Sequence, residues 1–317
     1  MANDLASRGG SLAEGVAEDR RGEMVELLQP DWRESLKLIN GLSLHVVEAG
    51  EPGNPLLIFL HGFPEFWWAW RHQISAFAEA GYHVVAPDQR GYNLSEAPQE
   101  VSAYTLDILT RDVINLADAY SADRFYLAGH DWGAVVAWWV AAVAPRRLER
   151  VVVMDGPHPD TLARQALRHP TQALRSSYVA FFQLPWLPEA TLSSFAFAGL
   201  RTMMQSTAKP DTFEPNALDR YVDAWSHPGR LTGMLNYYRA LRDRPRNEQA
   251  ARISPPTLIL WASDDSALEQ HVAEAGFGLC SDGQLEIIDG ASHWLHLERP
   301  ELINRRILEF FQSVRSN

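Results

Sequence analysis

Residues Gly129, His130, Asp131, Trp132 and Gly133 set two glycines at the spacing of a sharp strand-to-helix turn and put a carboxylate at its tip. A hydroxyl in that place would need a neighbouring base before it could attack. An aspartate, with an ordinary pKa of about 3.9, is already an anion at neutral pH. Such a carboxylate attacks a strained or activated sp3 carbon, and the product is an alkyl ester of the protein that water must hydrolyse. Serine-type ester hydrolysis is excluded at this position.

The second half of such a cycle needs a base, a group to orient it, and donors for an oxyanion. His293, in Gly290-Ala-Ser-His-Trp294, lies just past the last strand-like run, and a neutral imidazole is the natural group to activate water near pH 7. Ser263-Asp264-Asp265 offers two carboxylates to orient it; Asp265 is preferred, with Asp264 as its alternative and Asp155 as runner-up. The backbone N–H of Phe63, in His61-Gly62-Phe63-Pro64, and that of Trp132 are placed to hold the oxyanion.

An isolated aspartate between glycines is more often a turn or helix-capping residue. Here three strand ends agree, in the chain order nucleophile, acid, histidine. Most of the 11 histidines must be structural, so His61 reads as stabilising its turn and His296 as packing or capping a helix. Trp67, Trp68 and Trp70 read as the packed face of a helix, with Trp67 able to reach the mouth of a pocket.

The elements that must position these residues follow from the apolar pattern. An alternating stretch at 36–48 is broken by Asn40-Gly41, a hairpin turn signal. Short continuous apolar runs occur at 56–60, 83–86, 125–128, 151–154, 257–261 and 285–288, with helical patterns at 66–80, 105–120, 132–144, 267–279 and 301–314. Strands without alternation, separated by helices, make a sheet that is mostly parallel and covered on both faces. No comparable strand lies between Met154 and Thr257, so that stretch is read as a helical insertion. The expected organisation is an extension at 1–30, a core in two parts at 31–155 and 246–317, and a helical cap at 156–245.

Over 317 residues, 46% hydrophobic and 21% charged positions allow a sizeable core. A formal net charge of −12 argues against nucleic acid and against anionic membranes, because no basic surface exists to bind phosphates. Cys280 is the only cysteine, so no intramolecular disulfide can form. Residues 1–30 lack the apolar segment of a signal peptide, and no run of about eighteen apolar residues appears, so a cytoplasmic, non-membrane protein is expected.

Four blocks then carry a resemblance: His61-Gly-Phe-Pro-Glu65, Pro87-Asp-Gln-Arg-Gly91, Gly129-His-Asp-Trp-Gly133 and Ser292-His-Trp-Leu-His-Leu-Glu-Arg-Pro300. Over residues 31–315 the chain resembles the soluble epoxide hydrolase branch of the α/β-hydrolase superfamily, whose haloalkane dehalogenases share the aspartate nucleophile. The resemblance implies an α/β-hydrolase fold, with an eight-stranded, mostly parallel sheet flanked by helices and an inserted helical cap. It implies two cap tyrosines that donate to the epoxide oxygen. These match Tyr178 in Ser177-Tyr-Val-Ala-Phe-Phe-Gln183 and Tyr238 in Leu235-Asn-Tyr-Tyr-Arg239, Tyr237 being the neighbouring candidate. A phenol is far more acidic than an alcohol, so it stabilises the alkoxide charge that develops on the opening ring.

The expected activity is conversion of an epoxide and water to a vicinal diol, without cofactor or metal, by a monomer or homodimer. Trp67, Phe182 and Trp294 are expected to line an apolar pocket. The alternatives are a haloalkane dehalogenase with the same nucleophile and a non-catalytic ligand-binding member of the fold.

Overall fold

Strands β1 (Arg33–Ile39), β2 (Leu42–Ala49), β3 (Leu56–Leu60), β4 (His83–Pro87), β5 (Phe125–His130), β6 (Leu148–Met154), β7 (Thr257–Ala262) and β8 (Gly283–Ile288) form one eight-stranded sheet in the order β1-β2-β4-β3-β5-β6-β7-β8. The computed structural model describes residues 27–243 and 252–313; residues 1–26 of the N-terminal extension lie outside the described residues. β2 pairs with β4 antiparallel, and every pairing from β4 through β8 is parallel. The turn between β1 and β2 has Asn40 at φ 52° and Gly41 at φ 80°, the pair of positive angles that a tight hairpin of matching twist requires.

Every residue of β3, β4 and β7 is buried, which is why these strands show no polar alternation in the sequence. The helix Trp132–Val143 is buried over ten of its residues, from Trp132 to Ala141, and apolar all round, as a helix lying under other layers must be. The helices Arg71–Glu79, Leu106–Ala119, Gln270–Phe277 and Pro300–Gln312 each bury one apolar stripe.

The expected helix at 66–80 is two elements, a 3-10 turn at Trp67–Trp70 and then Arg71–Glu79. The cause is Asp88, whose Oδ1 accepts the backbone N–H of Trp67 at 2.9 Å and fixes the first turn before the α-helix starts.

Between β6 and β7 the described residues contain helices and no strand: Leu162–Arg168, Pro170–Arg175, Ser177–Phe181, Leu187–Thr207, Ala217–Ser226 and Arg230–Arg239. Leu187–Thr207 is interrupted where Phe195, Ala196 and Phe197 take positive φ of 52°, 54° and 60°. This inserted layer meets the core at a close backbone contact. A side chain on Gly233 would lie 2.8 Å from the Gly91 Cα, so only glycine fits there. No helix among the described residues is long and apolar enough to cross a membrane.

Candidate active site

β5 ends at His130, and the chain turns through Asp131 at φ 49°, ψ −117° into the helix Trp132–Val143. A non-glycine residue in that region is strained, and it persists because its surroundings leave no alternative. A Cβ on Gly129 would lie 2.3 Å from the Gly133 carbonyl oxygen, and one on Gly133 would lie 2.0 Å from that of Leu60. The two glycines thus let strand, turn and helix approach closely enough to push the Asp131 side chain out at the tip.

The two oxygens of that carboxylate face different partners. Oδ1 accepts the Phe63 N–H at 2.7 Å, and the backbone N–H of Trp132 also bonds to the carboxylate. Oδ2 stands 3.8 Å from His293 Nε2. Burial raises the Asp131 pKa above the usual carboxylate range, opposed by His293, His130 and the two amides.

His293 Nδ1 donates to Asp265 Oδ2 at 2.7 Å. The other oxygen of Asp265 accepts the N–H groups of Ala267 at 2.7 Å and Leu268 at 2.9 Å, which holds the carboxylate in place beside the imidazole. Asp264 instead points outward and pairs with Lys209 Nζ at 2.5 Å. The carboxylate bonded to His293 is therefore that of Asp265. Burial alone would lower the His293 pKa, but Asp265, Asp131 and Asp155 more than offset it and raise it to about 10.

A second layer lies behind the first and has no signal in residue spacing. His130 Nε2 donates to the His293 carbonyl at 2.8 Å, its Nδ1 meets Glu65 Oε2 at 3.0 Å, and Glu65 Oε1 meets His296 Nε2 at 3.3 Å. All three side chains are buried. Burial and the neighbouring imidazoles of His296 and His293 hold the His130 pKa below its ordinary value against the opposing pull of Glu65. The backbone of His293 is held from below by the His130 bond. Glu65, His130 and His296, like His130, Asp155 and His293, have the spacing of a metal-ligand set, but most of their ring nitrogens are already engaged by these hydrogen bonds. His61 takes the turn-stabilising place expected of it: its Nε2 accepts the Gln89 N–H at 3.1 Å.

Above Asp131 a cavity of about 230 Å³ opens, small for a ligand site and suited to a compact substrate. Tyr178, Phe182 and Tyr238 line it from the inserted helices, and Phe63, His293 and Trp294 from the core. The rings of Tyr178 and Tyr238 stand 5.9 Å apart, edge-on to each other. Burial and the nearby Asp131 charge push both phenols above their ordinary pKa, so both stay protonated donors. Tyr238 is fixed edge-on against Trp132 at 5.0 Å and Phe63 at 5.4 Å. Tyr237 turns away and donates to the Arg90 carbonyl at 3.0 Å.

Arg239 ties the two tyrosine-bearing segments together. It forms a fork with Glu189, at 2.7 and 2.9 Å, and also donates to the carbonyls of Phe182 and Leu184. Gln183 Nε2 adds a bond to the Tyr238 carbonyl at 2.9 Å.

The expectation for Trp67 is corrected. Its side chain is fully buried and is not among the residues lining the cavity, because the Asp88 anchor at its backbone turns the ring into the core beside Phe66.

The family model for the alpha/beta hydrolase fold matches residues 55–300. An AB hydrolase superfamily protein, YfhM of Bacillus subtilis (strain 168), is 40% identical over 274 residues, covering 86% of this chain and 96% of that protein. Human epoxide hydrolase 4 is 37% identical over 280 residues, covering 86% of this chain and 76% of that one. Among solved structures, epoxide hydrolase A from Mycobacterium thermoresistibile superposes with a TM-score of 0.78 at 32% identity, over 88% of this chain and 98% of that one.

Proposed function

This chain belongs to the α/β-hydrolase family, with epoxide hydrolases among its relatives, and on that premise we propose that it opens epoxides to vicinal diols through an ester on Asp131. One observation carries the reading. In a single small cavity the Asp131 carboxylate has one oxygen against the Phe63 N–H and the other 3.8 Å from His293, with two protonated tyrosines lining the same space. We take 31–155 and 246–317 as the core and 156–245 as a cap that supplies the tyrosines.

In the first step Asp131 Oδ2 attacks an epoxide carbon, the ring C–O bond breaks, and Tyr178 and Tyr238 donate to the oxygen as it becomes an alkoxide and then a hydroxyl. Esterification removes the Asp131 charge, one of those that hold the His293 pKa up. The imidazole sheds its proton, which balances the one the phenols gave, and becomes a base. In the second step water gives a proton to His293 and adds to the Asp131 carbonyl carbon. The Phe63 and Trp132 amides hold the oxyanion. Collapse expels the second alkoxide, which takes the proton of the new acid, and the carboxylate and imidazolium are regenerated.

A single turnover in heavy-oxygen water tests the route. The label should enter the Asp131 carboxyl group and be absent from the diol; label found only in the diol would mean that water attacked the epoxide directly. Release of bromide from a bromoalkane, without diol from styrene oxide, would instead assign the site to a dehalogenase.

The two steps should respond to pH separately. Ester formation should fall in acid as Asp131 protonates, at a pKa raised by burial above the ordinary value of about 3.9. Ester hydrolysis should rise with pH to a plateau, with a pKa below the resting value of about 10, because the ester carries no charge. Stopped-flow measurement of both phases checks this. A hydrolysis rate that stays flat from about pH 5 to about pH 10 would remove His293 as the base.

A further inference from the structure

Asp155 leaves the end of β6, the strand beside the one that leads to Asp265, and is held at φ 41°. It is completely buried. Its Oδ1 accepts the Ala262 N–H at 2.8 Å, while its Oδ2 has no hydrogen-bond partner among the described residues. A ligand atom of this carboxyl lies within 4.8 Å of a nitrogen of His293 and of a nitrogen of His130. Two carboxyl groups from adjacent strand ends therefore converge on one imidazole, and only Asp265 is bonded to it. A buried, unpartnered carboxylate oxygen is costly, so the second group is retained as the neutral acid while the first is ionised. Burial and the Asp265 charge both push the Asp155 carboxyl well above its usual range.

We propose that Asp155 is a reserve positioning residue for His293, which ionises and takes over the orienting contact at the imidazole when the charge of Asp265 is removed. The proposal rests on the reading of Asp131 as ester former and His293 as base. Asp155 contributes nothing to ester formation, and in the intact protein it contributes little to ester hydrolysis. Once Asp265 is neutral, the repulsion that adds to burial in keeping Asp155 protonated disappears, and in the ester, where Asp131 carries no charge, Asp155 is left as the carboxyl group within 4.8 Å of the imidazolium.

The test measures single-turnover ester formation and ester hydrolysis separately in Asp265→Asn, Asp155→Asn and the double variant. Asparagine keeps an oxygen for the Ala267 and Leu268 amides. Loss of the acid from an isolated triad costs about 10⁴-fold. Here Asp265→Asn alone should slow ester hydrolysis by only about 10- to 100-fold, Asp155→Asn alone by less than about 3-fold, and the double variant by the full 10⁴-fold. A merely structural Asp155 would give the same factor in both backgrounds.

The proposal is overturned if Asp265→Asn alone already falls to the level of the double variant, or if the double variant retains the activity of Asp265→Asn. A circular-dichroism spectrum and thermal transition like those of the unsubstituted protein show that the fold is intact in each variant; where Asp155→Asn fails that control, Asp155→Ser replaces it. Failure of the two-step reading looks different, because no ester would then form in any variant.

Discussion

Incubated with an epoxide, the His293→Gln protein should gain the mass of one substrate molecule and then stop. Glutamine cannot take a proton from water, yet it leaves the Asp131 carboxylate, its two amide partners and the two tyrosines in place. Removing the base from a hydrolytic triad costs on the order of 10⁴- to 10⁶-fold in turnover, and here the whole loss should fall on ester hydrolysis. Ester formation should slow slightly, since His293 also helps to keep Asp131 ionised. Intact-mass spectrometry followed by peptide mapping to Asp131 reads the result. A protein that stays unmodified after incubation, with Asp131 present, would refute the covalent route.

The double variant Tyr178→Phe, Tyr238→Phe should show the opposite phenotype, with no ester formed. Phenylalanine preserves the ring packing against Trp132, Phe63 and Phe182, so the protein should fold and bind. Loss of one donor at a developing oxyanion costs about 10²- to 10³-fold. Because both tyrosines line one small cavity side by side, one can partly cover for the other, so each single variant should cost less than half of the logarithmic loss of the pair. For the pair, a fall of about 10⁴-fold in the rate of ester formation is expected. Diol production within tenfold of wild type would remove the tyrosines from the mechanism.

Much of this site is legible in the amino-acid sequence, because its parts are local. The Gly129 to Gly133 turn needs only a strand, two small residues and a helix, all encoded within a short stretch, and the chain there strains Asp131 into position. The continuous apolar runs marked β3 to β7 because strands buried on both faces have no wet side to show. Strand ends in a parallel sheet share one edge, so naming the residues after β5, β7 and β8 already named Asp131, the Asp264-Asp265 pair and His293 as neighbours.

What the chain could not disclose is how side chains turn once distant segments meet. Asp265 rather than Asp264 faces His293 because the Ala267 and Leu268 amides hold it there while Lys209 draws its neighbour outward. Tyr238 rather than Tyr237 enters the cavity because the Arg90 carbonyl holds the other phenol. Trp67 is lost to the core through Asp88, and the Glu65, His130 and His296 cluster joins segments far apart in the chain. Residue types and strand order are properties of short stretches, which composition and periodicity report. The aim of a carboxylate or a ring is set by hydrogen bonds and packing across the whole core, and those exist only once the chain has closed on itself.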